Sequence, residues 1–447
     1  MGRLFGTDGV RGRAGEYPLD APTIRRLGAA LARALGNGGD RVRFLSGRDT
    51  RESGPWIERE LAAGIRSEGG TLVSAGVIPT PAIAYLTPRM GYTAGVVISA
   101  SHNPFEDNGI KVFSGSGAKF TETHEERVEA MMADATAVPP ASDRIAVEQI
   151  DYRADYLEHL LRILPPDAAR KGLRIAVDCA NGATTTVAPR LFERLGFEVR
   201  QIGSAPDGRN INLACGSTAP DLLAKTVVDT GCRLGIAYDG DGDRAIFVDD
   251  QGRVVDGDAV MFLCAKQMKA EGRLRKNAVV ATVMSNIGLE LALREAGIDL
   301  VRCPVGDKYV MDELLRRGLS LGGEQSGHVI FSDDLFTGDG LATSLHVLRT
   351  MEATGRELRE LAGELRVYPQ VLRNVRVARK ADLRTIPAVA AVLEDVERRL
   401  AGHGRLLVRY SGTEPLLRIM LEGRDEHEIR RWAEEIADAV HEHVGQA

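Results

Sequence analysis

At roughly 100 to 200 residues per domain, a chain of 447 residues holds about three domains, with two or four also in range. Its 44% hydrophobic, 27% charged and 5% aromatic residues exclude disordered and fibrous classes. With 57 Lys and Arg against 63 Asp and Glu, the formal charge of -6 excludes a global basic field that would draw nucleic acid or an anionic membrane, so any anionic ligand must be met locally.

In chain order, the N-terminus MGRLFGTDGVRGRAGEYP carries charge and glycine where a signal peptide needs an apolar stretch. Three stretches then share one grammar of short apolar run, polar or glycine loop and helical pattern: residues 41–54, 173–186 and 277–290. Each is followed by a second apolar strand that ends in a polar loop: TAGVVISASHNP (93–104), RLGIAYDGDGDR (233–244) and LSLGGEQSGH (319–328). Apolar runs of this kind, alternating with helices, predict central strands covered on both faces in three similar α/β units. The Ala/Pro-rich stretch 130–150 reads as a linker, and a second boundary is expected near Asp249–Gly252. The expected domains are 1–150, 151–250, 251–367 and a smaller α+β unit, 368–447, with strands VLRNVRVA, GRLLVRYS and LLRIMLEG and a terminal amphipathic helix. The five cysteines are scattered with no C-x-x-C pair, which predicts free thiols in a reducing cytoplasm, and no 18-residue apolar run interrupts the chain. A cytoplasmic protein without a nucleic-acid or membrane partner is expected.

Four loops carry chemistry. In Asp239-Gly240-Asp241-Gly242-Asp243-Arg244 three carboxylates alternate with two glycines at a strand end. Alternate side chains share a face and glycine permits curling, so the carboxylates can converge on a hard cation such as Mg²⁺. An EF-hand needs Gly at the sixth and Glu at the twelfth position, where this loop has Arg244 and Asp250. Arg244 can offset the surplus charge or fork onto a phosphate. Ser101, in Ser99-Ala100-Ser101-His102-Asn103-Pro104, is a candidate nucleophile or phosphate carrier beside His102 and ten residues before Lys111; no G-x-S-x-G surrounds it. Glu324 and Ser326 of GGEQSGH alternate acceptor and donor, as gripping a sugar requires, and His328 is either a proton shuttle or a packed loop histidine. Arg409, Ser411, Gly412, Thr413 and Arg418 make an anion cradle. Arg11, flanked by small residues, can approach a ligand closely. With no P-loop and no dinucleotide fingerprint, a hydroxyl carrier, a cation loop, a sugar grip and a phosphate cradle at strand ends predict phosphoryl exchange on a phosphosugar.

FGTDGVRG, ISASHNP with DNGIK, DGDGDR, GGEQSGH and RYSGTEP, in this order across nearly the whole chain, resemble the α-D-phosphohexomutases. That resemblance implies three related α/β domains with mixed, mostly parallel sheets and a smaller α+β fourth, heart-shaped around a central cleft. It implies phosphoserine at Ser101 and one Mg²⁺ per subunit, held by that residue and Asp239, Asp241 and Asp243. Arg11, His102, Lys111 and His328 would surround the transferred group, Arg244, Glu324 and Ser326 would contact substrate, and Arg409, Ser411, Gly412, Thr413 and Arg418 would hold the non-reacting phosphate. Tyr410 is a departure, at a position where relatives often carry lysine or another residue. The implied reaction, an isomerase's, converts glucosamine 6-phosphate to glucosamine 1-phosphate for UDP-N-acetylglucosamine and cell-wall precursors, through a 1,6-bisphosphate, with glucosamine or glucose 1,6-bisphosphate as activator and a homodimer as a possible assembly. Rival readings are a glucose or mannose phosphate mutase, a sugar phosphatase using an aspartate of the D-x-D loop, and a non-catalytic sugar-phosphate sensor.

Overall fold

The computed structural model describes residues 4–6, 8–36, 41–133, 146–411 and 415–445. They divide into two compact units, one comprising residues 1–284 with 297–364 and the other residues 285–296 with 365–447.

The first unit contains three sheets. The first has six strands, with Ala94–Ile98, Arg43–Arg48, Thr71–Val77 and Glu148–Gln149 parallel in that order, and Asp107–Ser114 and Val10–Arg13 added antiparallel beyond Ala94–Ile98. The second places Leu234–Tyr238 parallel to Arg174–Asp178, which is parallel to Glu198–Ile202, with Ala245–Asp249 and Val254–Val255 antiparallel at the other edge. The third sets Asp299–Cys303, Ala278–Thr282 and Leu321–Gly323 parallel, with Val329–Phe331 antiparallel at the end. These are the mixed, mostly parallel sheets that the family resemblance implies. Every residue of AGVVI (94–98), LGIAY (234–238) and AVVAT (278–282) is buried, as strands covered on both faces require.

Helix Ala21–Leu35 shows why the first sheet is covered. Asp20 caps it by accepting from Thr23 N at 3.0 Å. Its apolar face, including Ile24, Leu27 and Leu31, packs with Phe44, Ile57, Leu61 and Val96 into one core. Within the stretch expected as linker, Glu148 and Gln149 pair in parallel with Val73 and Ser74. Short and polar, they suit an edge strand and carry no apolar signal; residues 134–145 lie outside the described set.

The second unit is a three-stranded antiparallel sheet of Gln370–Arg376, Leu416–Glu422 and Arg405–Tyr410, in that order, with helices Pro387–Leu400 and Glu426–Val444. Asp425 caps the last helix through the amides of His427 and Glu428, and Ile429, Trp432, Ala433, Ile436, Val440 and Val444 are buried at helical spacing. Helix Ile287–Glu295 belongs to this unit. Asn286 Nδ2 donates to Tyr368 O at 2.9 Å, and Ile287 N to the buried Glu422 carboxylate at 3.1 Å. All five cysteines are free and buried. Among the described residues no helix is long and apolar enough to cross a membrane.

Candidate active site

Ser101 and Asp239 both lie just past the carboxyl ends of buried parallel strands, Ala94–Ile98 and Leu234–Tyr238. Open α/β sheets present ligand-binding loops at such ends. Residues 138 positions apart meet there: Ser101 Oγ donates to Asp239 Oδ2 at 2.5 Å, and Ser101 is 2% exposed. Gly240 permits the approach, because a Cβ at that position would lie 2.5 Å from the Ser101 carbonyl oxygen. Gly242 turns the loop at φ +74°, bringing Asp243 back beside its neighbours.

Asp239, Asp241 and Asp243 are buried, and one oxygen from each lies within 4.8 Å of the others. Oδ1 of Asp241 and Oδ1 of Asp243 are buried without a hydrogen-bond partner. Anionic oxygens left so are costly, and an oxygen-only set of three carboxylates is what a hard divalent cation takes. The residues therefore fit a metal ion. Burial pushes the Asp239 carboxyl well above the usual carboxylate range, and the charges of Asp243 and Asp241 add to this. In the cation-free protein Asp239 accordingly keeps its proton at pH values where an ordinary aspartate has lost it. Because a cation needs the carboxylate, Mg²⁺ binding should release a proton and tighten as pH rises through that raised pKa. Calorimetric titrations in buffers of different ionisation enthalpy should show it; an observed enthalpy independent of buffer would refute the prediction.

Positive groups surround the trio. The buried Lys111 Nζ donates to Asp241 Oδ2 at 2.9 Å and to Asp243 Oδ2 at 3.4 Å, and lies 3.0 Å from Asp8 Oδ2. Burial opposes its charge, but Asp241, Asp8 and Asp243 outweigh burial and raise its pKa well above the usual value. Arg11 reaches Asp8 Oδ2 at 2.5 Å and Ala100 O at 3.3 Å, with its Nε unpartnered. Arg244 Nε, also unpartnered, lies 3.9 Å from Asp243 Oδ1. His102 is exposed, its Nδ1 3.4 Å from both Ser101 Oγ and Arg244 Nη1. Partial desolvation of the ring and the charges of Arg244 and Arg11 lower its pKa, which favours the neutral form.

His328 is buried between two carboxylates, Nδ1 at 3.6 Å from Asp243 Oδ1 and Nε2 at 3.9 Å from Asp307 Oδ2. Although burial opposes its charge, Asp243 and Asp307 raise its pKa. Gly338 N donates to Nε2 at 3.1 Å, so a neutral ring carries its proton on Nδ1, facing Asp243. Glu324, after strand Leu321–Gly323, accepts from Gly306 N at 3.1 Å, while Ser326 is exposed.

Several members of this cluster escaped the sequence reading. Asp8 links Arg11, Lys111 and Lys119; Lys119 Nζ lies 2.8 Å from Asp8 Oδ1 and also bonds to Asp307. Thr80 Oγ1 donates to Asp241 Oδ2 at 2.6 Å. Asp8 stands inside FGTDGVRG, where Arg11 alone offers a ligand contact by its surroundings, and Lys119 is an isolated charge in its own segment.

In the second unit, the register sets Arg409 directly opposite Arg418, on one face of the sheet. Ser411 N donates to Leu416 O at 2.8 Å and Lys380 Nζ to Ser411 O at 2.7 Å. Tyr410 OH donates to Ala381 O at 2.7 Å, anchoring this strand to the segment before helix Pro387–Leu400. Gly412 and Thr413 lie outside the described residues.

Comparison with known proteins matches four family profiles: phosphoglucomutase/phosphomannomutase alpha/beta/alpha domain I (residues 2–138), domain II (154–252), domain III (256–368) and the C-terminal domain (372–439). The chain belongs to the phosphoglucomutase/phosphomannomutase family. It is thus a phosphohexomutase, an isomerase, with three α/β domains and a smaller C-terminal domain. The phosphoglucosamine mutase of Geotalea daltonii is 48% identical to it over 449 residues, covering 100% of this chain and 99% of that protein. That of Geobacter sp. strain M21 is 49% identical, again covering 100% and 99%. A family member from Burkholderia thailandensis has the same fold, with a TM-score of 0.81 at 24% identity over 98% of this chain and 97% of that one. Aspergillus fumigatus N-acetylphosphoglucosamine mutase, solved with GlcNAc-6P and magnesium, has a TM-score of 0.60 at 18% identity, covering 98% and 95%.

Proposed function

We propose that this phosphohexomutase interconverts glucosamine 6-phosphate and glucosamine 1-phosphate, with Ser101 as the phosphoryl carrier. The contact of Ser101 Oγ with Asp239, inside a buried cluster holding three carboxylates, Lys111 and His328, carries the reaction class. Full-length relatives near half identity, named phosphoglucosamine mutases, support the amino sugar.

In this reading O1 of glucosamine 6-phosphate attacks the phosphorus on Ser101. The P–Oγ bond breaks, Oγ takes the electron pair, and the O1 proton passes to a base of the cluster. The 1,6-bisphosphate then turns over; Oγ attacks its 6-phosphoryl group, O6 leaves and is protonated, and glucosamine 1-phosphate remains. Asp239, Asp241 and Asp243, with the phosphoryl group on Ser101, would hold Mg²⁺, which when bound neutralises charge on that group. Lys111, Arg11 and Arg244 supply fixed positive charge around the group in transfer. His328, with Nδ1–H toward Asp243, and Lys111 are the groups placed to hold or move a proton. Glu324 and Ser326 would take sugar hydroxyls, and Arg409, Ser411, Gly412, Thr413 and Arg418 the phosphate not in transfer. One 1,6-bisphosphate escaping per enzyme leaves Ser101 unphosphorylated, so added glucosamine or glucose 1,6-bisphosphate should restore activity.

Two measurements on one preparation test this. Phosphopeptide mapping after incubation with labelled bisphosphate should find the label on Ser101; label on Asp239 would favour a phosphatase-like path. The kcat/KM for glucosamine 1-phosphate should exceed those for glucose 1-phosphate and mannose 1-phosphate. A preference for a neutral hexose would overturn the amino-sugar assignment alone.

A further inference from the structure

Ser101 holds a backbone conformation that few non-glycine residues adopt, φ +53°. Such a conformation persists where the surroundings over-determine it, and here its peptide groups are held on both sides. Ser101 N donates to Ser99 Oγ at 3.0 Å, and Ser99 Oγ in turn donates to Asp49 Oδ2 at 2.5 Å. On the carbonyl side two donors from distant segments converge. Arg51 Nη2 donates to Ser101 O at 3.0 Å and to Asn103 O at 2.8 Å. Asn212 Nδ2 donates to the same two oxygens, at 2.9 and 3.1 Å.

Arg51 is buried with a side-chain exposure of 0%, and each of its five N–H groups has an acceptor. Nε donates to Asp49 Oδ2 at 2.8 Å, and Nη1 to Pro104 O and to Asp107 O at 3.0 Å. Four of the five bonds thus end on carbonyls of the segment 101–107. Balancing Asp49 would require one cation near one carboxylate; the fork instead follows the outline of a loop. Asn212 closes it from the other side, from a loop in which Asn212 and Ala214 themselves have positive φ, +58° and +52°.

We infer that Arg51 and Asn212 are positioning residues. Together they fix the Ser101 carbonyl, and with it the direction of Oγ and of any phosphoryl group it carries toward the carboxylate cluster. The inference rests on Ser101 being the carrier. Neither residue touches substrate; each acts through the peptide it holds. Phosphoryl transfer depends on in-line placement, and a shift of about 1 Å can cost about 10²-fold in rate.

The test compares Arg51→Lys, Asn212→Ala, the double variant and Ser101→Ala, assayed as interconversion of glucosamine 1- and 6-phosphates with folding checked by circular dichroism and thermal melting. Lysine keeps the charge opposite Asp49 and loses the fork. Arg51→Lys should lower kcat about 10²-fold and Asn212→Ala about 10-fold, each with KM within about twofold of wild type. Since both act on the same two carbonyls, the double variant should lose less than the product of the single losses. Should Arg51→Lys fail to fold, Asn212→Ala decides. A folded Asn212→Ala or Arg51→Lys with wild-type kcat, or one whose loss lies in KM alone, would overturn the inference if Ser101→Ala is inactive. A Ser101→Ala protein that still turns over would instead remove the carrier reading beneath it.

Discussion

Replacing Ser101 by alanine is expected to lower turnover by about 10⁴-fold or more, the loss that follows deletion of a covalent nucleophile. The change removes one oxygen that hydrogen-bonds Asp239 Oδ2 and His102 Nδ1, so the fold should be little affected. Losing a buried hydroxyl's bond costs about 1 kcal/mol, and Arg51, Asn212 and Ser99 still hold the peptide groups on either side. The variant should therefore melt close to wild type, take no phosphate from labelled bisphosphate, and still bind glucosamine 1-phosphate. Mass spectrometry and a single-turnover assay read the first two directly. Retained turnover, with label at Asp239, would make the acidic loop the carrier and Ser101 its neighbour.

That pairing was half legible in the amino-acid sequence. Ser101 and the D-G-D-G-D loop each follow a fully buried apolar run, and such runs, ended by glycine and small polar residues, announce strand ends where ligands bind. The second unit was legible for a related reason: its strands and its terminal helix carry their own periodicities, and the helix a capping aspartate. Contacts set by tertiary packing were hidden. Lys119 reaches Asp307 across 188 residues and Asp8 across 111, and each is an unremarkable charge in its own segment. Arg51 lies just before helix Gly54–Ser67, where sequence offers only a solvated loop, yet it is among the largest fully buried side chains. Helix Ile287–Glu295 follows its strand in the expected βα order, and its grouping with the C-terminal unit through Asn286 and Glu422 left no trace in composition. Sequence periodicity reports which face of an element is buried; it does not report which distant charge neutralises another.

Lys111 yields the second large effect, because its ammonium and a cation both draw on the carboxylates of Asp241 and Asp243. Its Nζ lies on Asp241 Oδ2 and Asp243 Oδ2 and beside Asp8, with the lysine side chain only 3% exposed. In Lys111→Met the stem is kept and the charge lost. Removing a fixed positive donor from a developing phosphoryl charge should lower kcat by about 10² to 10³-fold. Cation affinity should move the other way. At pH 8 Asp241 and Asp243 lose the ammonium beside them, so Mg²⁺ should bind at least as tightly as to wild type in a calorimetric titration. At acidic pH the order should reverse, since Asp243, pushed up by burial and held well below the usual range by Lys111 first among its partners, loses that support and takes a proton. Removing one partner of a buried charge cluster destabilises the cation-free protein by about 3 to 5 kcal/mol, whereas a bound cation restores compensation to the triad. The rise in Tm on adding Mg²⁺ should thus be larger in the variant than in wild type. Weaker Mg²⁺ binding at pH 8, or an unchanged kcat, would mean that Lys111 supports the carboxylates structurally and takes no part in the transfer.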